Sequence, residues 1–124
     1  MSDRKSNEPI AFLKLDENAI IPTRGTEFSA GIDLYSLEDV TIEADFRKIV
    51  RTGVAVRMPR GYYGQLTDRS SMADTHGLKL GGGTIDNDYT GEIKVIMFNH
   101  DVLDCRIEAG TRIAQLVVMP YLDN

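Results

Sequence analysis

Residues 81–98 read Gly81-Gly82-Gly83-Thr84-Ile85-Asp86-Asn87-Asp88-Tyr89-Thr90-Gly91-Glu92-Ile93-Lys94-Val95-Ile96-Met97-Phe98. Three consecutive glycines cannot stabilise a strand interior, because glycine loses the most backbone entropy and packs nothing. They serve instead to let backbone N–H and C=O groups come close to another group. Asp86-Asn87-Asp88 hydrogen-bond locally and favour a tight reversal. Beyond Gly91, the apolar run Ile93 to Phe98 reads as a buried strand. The stretch predicts a hairpin with bare backbone near one end and a tip carrying two carboxylates and an aromatic. On the local pattern alone, a glycine-softened hairpin with solvated acids fits equally well.

Outward from this hairpin the chain reads as strands. Ile10 to Leu15 is a first strand, Ile20 to Glu27 with Pro22 and Gly25 is a loop, and Phe28 to Ser36 is a short strand entered through Gly31. Val40, Ile42, Ala44 and Phe46 alternate with polar residues, the period of a half-buried strand. Lys48 to Met58 continues that alternation, with Val54, Val56 and Met58 on one face. Pro59-Arg60-Gly61 is turn chemistry, and Tyr62 to Thr67 returns as a strand. Ser70 to His76 is the one expected helix, with Gly77 as its terminator. Cys105 to Ile107 and Arg112 to Met119 complete the set. Many short strands and one short helix mean an all-β sandwich or barrel.

Residues 1–9 are polar and aperiodic and are expected to form an arm. Residues 10–124 are expected to form one β domain, and 124 residues suffice for a core without staples. No apolar run approaches the roughly 18 residues of a membrane span, and no signal-peptide pattern opens the sequence, so a non-secreted, intracellular protein is expected, cytoplasmic or nuclear. The single cysteine, Cys105, excludes an internal disulfide and reads as a structural thiol. A net charge of −5 excludes a binder of phosphate backbones, which needs a basic face. A small polyanion remains accessible if a divalent cation and well-placed arginines offset the repulsion.

Four stretches in order resemble the motifs of the trimeric dUTPase family, the dUTP pyrophosphatases. They are Ala30-Gly31-Ile32-Asp33-Leu34-Tyr35-Ser36, Arg69-Ser70-Ser71-Met72-Ala73, the hairpin's Gly83 to Glu92, and Gly110-Thr111-Arg112-Ile113-Ala114-Gln115-Leu116. Together the match runs from about Ile10 to Met119. It implies a distorted jelly roll of the β-clip type and a homotrimer whose active sites are shared between subunits. It also implies Mg²⁺-dependent hydrolysis of dUTP to dUMP and pyrophosphate. By the resemblance, Asp86 activates the water that attacks the α-phosphorus, where the local pattern alone offers an Asx turn. Asp88 reads as a turn residue. Tyr89, a core aromatic in most hairpins, is implied to lie under the deoxyribose and leave no room for a 2′-hydroxyl. The backbone of Gly81, Gly82, Gly83, Thr84 and Ile85, with Gly91, is implied to pair with the uracil edge.

The remaining sites follow the same way. Arg69, Ser70 and Ser71 open the expected helix, where N–H groups, a hydroxyl and a guanidinium make an anion site; locally, a serine N-cap with a solvated arginine is the simpler reading. Asp33 looks like an exposed strand-end acid, and the resemblance makes it a holder of waters on the Mg²⁺ that the triphosphate chelates. Gln115 interrupts an apolar strand and needs partners; the resemblance assigns it to the phosphates or their waters. Arg112 reads as structural. The surplus of Val95, Met97, Val117 and Met119 over one thin sandwich points to a buried interface.

The sequence departs from the family in two places. Asp68 stands where the family has proline before the arginine, an added carboxylate beside a phosphate site. The glycine-rich fifth motif that closes over the nucleotide is not found, which predicts weaker catalysis. An alternative from another class is a dUTPase-like nucleotide-binding or regulatory module with weak or no catalysis. The related dCTP deaminase shares the fold, but the motifs follow the dUTPase spelling.

Overall fold

The computed structural model describes residues 5–122. Of the arm expected over 1–9, residues 1–4 lie outside the described residues. Lys5 carbonyl accepts the N–H groups of Glu8 at 3.4 Å and Arg60 at 3.2 Å, and Glu8 lies 3.8 Å from Arg57.

Among the described residues the chain forms short strands and one helix: β1 (Ala11–Lys14), β2 (Thr23–Arg24), β3 (Gly31–Tyr35), β4 (Val40–Ile42), β5 (Arg47–Arg51), β6 (Val54–Arg57), β7 (Tyr62–Asp68), α1 (Ser70–His76), β8 (Leu78–Gly81), β9 (Thr84–Ile85), β10 (Lys94–Asn99), β11 (Cys105–Ile107) and β12 (Arg112–Pro120). A five-stranded sheet has the order β2-β3-β12-β7-β9 and a three-stranded sheet the order β5-β10-β8, while β1 pairs with β6 and β11 with β4. Every pairing is antiparallel. One core lies among the sheets, with Leu34, Val50, Val54, Val95, Ile113, Ala114 and Leu116 fully buried. The expected all-β class with one short helix holds.

The helix falls where the sequence places it. Gly77 ends it at φ 62°, donating its N–H to the carbonyls of Ala73 and Met72, a left-handed closure that suits glycine. The start differs from a serine cap: Arg69 is the N-cap, and no side chain caps the turn.

Several strands end or divide where alternation predicts continuity. β4 stops at Ile42, because Asp45 turns the chain at φ 63° and donates its N–H to Asn99 carbonyl, leaving Phe46 exposed. The run from Lys48 to Met58 breaks at Gly53, φ 72°, so β5 and β6 enter different sheets. Residues 20–27, expected as a loop, contain β2, which pairs with β3.

The glycine hairpin divides in the same way. β8 pairs with β10, as a hairpin should, but Gly82 and Gly83 have positive φ and pass the chain into the other sheet, where β9 pairs with β7. β10 is half-buried rather than buried throughout: Val95 and Met97 point inward while Lys94 and Ile96 are exposed. Val95 and Met97 therefore fill this chain's own core and supply no interface, contrary to the sequence reading. Cys105 is a half-buried free thiol whose pKa is raised by burial and then by the nearby Asp101 charge, in keeping with a structural role. No helix among the described residues is long and apolar enough to cross a membrane.

Candidate functional site

The chain's passage from one sheet to the other opens a cleft of about 190 Å³. Gly81, Gly83, Thr84, Ile85, Asp86 and Tyr89 line it, with Leu66, Glu92, Ile93, Lys94 and Ile96 forming the remaining wall. Gly82 and Gly91 do not line it. The Phe98 ring covers Gly81 so closely that a Cβ there would stand 2.3 Å from a ring carbon. Gly83 carbonyl accepts the Leu66 N–H at 2.8 Å, and β9 adds Ile85 opposite Gly64. The glycine passage is thus held to β10 at Gly81 and to β7 at Gly83, and both glycines border the cleft.

The tip is a turn closed by Tyr89 N–H donating to Asp86 carbonyl at 3.0 Å. Asn87, in sequence only one of three turn formers, anchors it. Its amide donates to the carbonyls of Pro59 at 2.8 Å and Tyr62 at 2.7 Å. Only the turn composition signalled Asn87, since its partners come from a distant reversal. The Asp86 carboxylate is exposed at the cleft and makes no hydrogen bond among the described residues. Asp88 is likewise exposed, facing a second hollow that it shares with Thr84, Asp86, Asn87, Tyr63 and Tyr121, so that Asp86 borders both. Tyr89 hydroxyl donates to Glu92 carbonyl at 2.7 Å, and its ring crosses Gly91, where a Cβ would come within 2.8 Å of that oxygen. The aromatic face is therefore held at a fixed angle in the cleft wall.

Glu92 ties this hairpin to the β5–β6 corner. Arg51 makes three hydrogen bonds to the two carboxylate oxygens, the shortest at 3.1 Å, and Gly53 N–H adds a fourth at 3.1 Å. Burial works to raise the Glu92 pKa, but the Arg51 and Gly53 hydrogen bonds outweigh it and hold the group below the ordinary glutamate value. A carboxyl lowered by folding binds its proton more readily unfolded. Its contribution is complete above the unfolded value and fades as pH falls through the folded one. The thermal midpoint of the parent should accordingly exceed that of Glu92→Gln near neutrality, and the gap should narrow below pH 4.5, the ordinary glutamate value. A gap that stays constant into acid would show that the ionised pair is not what holds this corner.

The other predicted residues gather elsewhere, at the β3–β12–β7 end of the five-stranded sheet. Gln115 stands opposite Asp33 on one side and Thr67 on the other, and Ala114 opposite Asp68, the residue before Arg69. Asp33 is not an exposed strand-end acid: it is 4% exposed in mid-strand, because β3 is covered on both faces. Its Oδ2 lies 3.7 Å from Arg112, whose guanidinium sits over the Tyr35 ring, while its Oδ1 is buried without a partner. Gln115 packs against Gly31, and neither its amide nor the Arg69 guanidinium has a side-chain partner among the described residues. Ser70 and Ser71 are exposed at the start of α1. None of Asp33, Arg69, Ser70, Ser71 or Gln115 lines the cleft. Asp68 turns away from Arg69, accepting Leu80 N–H at 2.8 Å and lying 3.2 Å from Lys79 Nζ.

A family model described as dUTPase matches residues 17–124. The deoxyuridine 5'-triphosphate nucleotidohydrolase of Debaryomyces hansenii is 48% identical over 102 residues, covering 82% of this chain and 64% of the relative. The chain thus spans just under two thirds of that protein. Among solved structures, the dUTPase of Staphylococcus bacteriophage 80alpha with dUPNHPP superposes with TM-score 0.89 at 29% identity, covering 95% of this chain and 86% of that one. A mutant dUTPase from phage phi11 of S. aureus, described for its coordination of a structural Mg(II) ion, gives TM-score 0.88 at 28% identity over 94% of each chain.

Proposed function

This chain belongs to the dUTPase family, and from that premise we propose that it hydrolyses dUTP to dUMP and pyrophosphate, in the compartment, cytoplasmic or nuclear, where that nucleotide is found. The observation that carries the reading is the cleft itself, with an unpartnered carboxylate, Asp86, beside glycine backbone and a fixed tyrosine. Uracil's acceptor–donor–acceptor edge suits the backbone N–H and C=O groups of Gly81, Gly83, Thr84 and Ile85 that border the cleft, and cytosine would leave some of them unpaired there. Asp86 takes the proton of the attacking water as its oxygen bonds the α-phosphorus. The bridging bond to the β-phosphate breaks, and pyrophosphate leaves with the electron pair.

Charge on the phosphates falls to Arg69, Ser70, Ser71 and Gln115. Since these residues lie away from the cleft in one chain, we assign them to the cleft of a neighbouring subunit in a homotrimer. The phi11 relative's Mg(II) raises the question of a cation. No cluster of three or more His, Cys, Asp or Glu among the described residues could ligate one directly. The orphaned Asp33 Oδ1 is instead an acceptor short of a donor, a state that costs about 1–3 kcal/mol, and it fits water molecules of a hydrated Mg²⁺ carried by the triphosphate. When bound, such a cation neutralises phosphate charge.

Pyrophosphate release from dUTP with Mg²⁺, with ammonia release from dCTP as the control, tests the reading. No pyrophosphate under conditions where dUpNHpp binds would leave a nucleotide-binding module. The sugar contact has its own test. Tyr89→Ala should narrow the preference for dUTP over UTP by about 1–3 kcal/mol in kcat/KM, the worth of a steric pocket contact. An unchanged ratio would place sugar selection elsewhere.

A further inference from the structure

We propose that Asp68 is a positioning residue that sets the phosphate-binding turn Arg69–Ser71, an inference resting on the dUTP reading above. β8 is an edge strand of the three-stranded sheet, so N–H groups on its outer side lack a ladder partner. Leu80 N–H is one such group, and Asp68 Oδ1, at the end of β7 in the other sheet, accepts it at 2.8 Å. Through its backbone Asp68 also stands opposite Ala114, next to Gln115.

One residue therefore joins three stretches: the β12 segment bearing Gln115, the turn bearing Arg69 and Ser70, and the strand leading to Gly81. Because α1 has no side-chain cap, the direction of the turn depends on how the end of β7 is held. The same geometry deals with charge. A loose carboxylate beside Arg69 would compete with a polyanion for it, whereas this one is occupied by Leu80 N–H and Lys79 Nζ. The Lys79 contact is solvent-facing and weak, with the lysine 67% exposed, so the hydrogen bond to Leu80 carries the positioning.

The test compares Asp68→Ala, Asp68→Asn and Lys79→Met by steady-state kinetics on dUTP, binding of dUpNHpp and hydrogen exchange at the Leu80 amide. Asp68→Ala should raise KM and the dUpNHpp Kd by roughly tenfold, the scale of one lost hydrogen bond to a charged group. Its kcat should stay within about twofold, the signature of lost ground-state binding, while Leu80 loses exchange protection. Asp68→Asn keeps an oxygen acceptor and should recover most of both effects, and Lys79→Met should behave as the parent. The role is overturned if Asp68→Ala loses Leu80 protection with KM and Kd unmoved. It is equally overturned if Asp68→Asn recovers Leu80 protection but leaves KM raised. A parent that neither binds dUpNHpp nor hydrolyses dUTP sinks the dUTP reading and this role with it; an active parent with an indifferent Asp68→Ala sinks the role alone.

Discussion

Asp86→Asn is expected to lower dUTP turnover by about 10²-fold or more, the scale of a lost general base, while dUpNHpp binds within about threefold of the parent. The two halves of this result separate because the turn does not depend on the carboxylate. Asp86 closes the turn through its backbone carbonyl, and Asn87 fastens it to Pro59 and Tyr62. The Asp86 side chain makes no hydrogen bond among the described residues, so an amide of the same shape removes a proton acceptor and leaves the cleft standing. Tyr89 keeps its contact with Glu92, and the glycine backbone keeps its bond to Leu66. Turnover within about threefold of the parent would remove Asp86 from the role of base. Loss of dUpNHpp binding in step with turnover would make Asp86 a binding residue instead.

Much of the fold was legible because local chemistry decided it. α1 begins and ends where read, since Gly77 alone can take φ 62° cheaply after an uncommitted polar run. The long returning strands were equally plain. Alternation failed where a strand's neighbours, not its own residues, set its environment. Asp33 lies between Ile32 and Leu34 in a strand buried on both faces, and nothing in its own segment announces the second cover. Gly82 and Gly83 signalled a break, but which sheet received each half depends on β7 and β10. The sequence points Val95 and Met97 to an interface because the number of inward positions in a sandwich cannot be counted before the sheets are laid out.

The candidate site divided along the same line. The motif residues were visible, and the resemblance named roles for them. Their partners were not: Asp68 finds Leu80 and Lys79 across a gap between sheets, and Asn87 finds the 59–62 reversal. Both are hydrogen bonds made by tertiary neighbours. Asp68 corrects the electrostatic concern raised by its position, since its charge is turned toward β8.

Mixed trimers should recover activity from two inactive parents. The cleft holds Asp86 and Tyr89 but none of Asp33, Arg69, Ser70 or Gln115, which collect at another end of the five-stranded sheet. A triphosphate cannot be held by the first group alone, because a chain of net charge −5 offers it no favourable general field. Shared sites answer this if each cleft takes Asp86 from one subunit and Arg69 from the next. Asp86→Asn and Arg69→Ala homotrimers should then both be nearly inert. After equal mixing with subunit exchange, a site has an even chance of an intact Asp86 and an independent even chance of an intact Arg69. About one quarter of sites are whole, so recovery should approach about one quarter of parent activity. A site built within a single chain gives no recovery, since every chain carries one lesion. Light scattering should show about three times the 13.8 kDa chain mass. A monomer at micromolar concentration, or mixed trimers that stay inert, would overturn the shared site and require Arg69 to reach the cleft of its own chain.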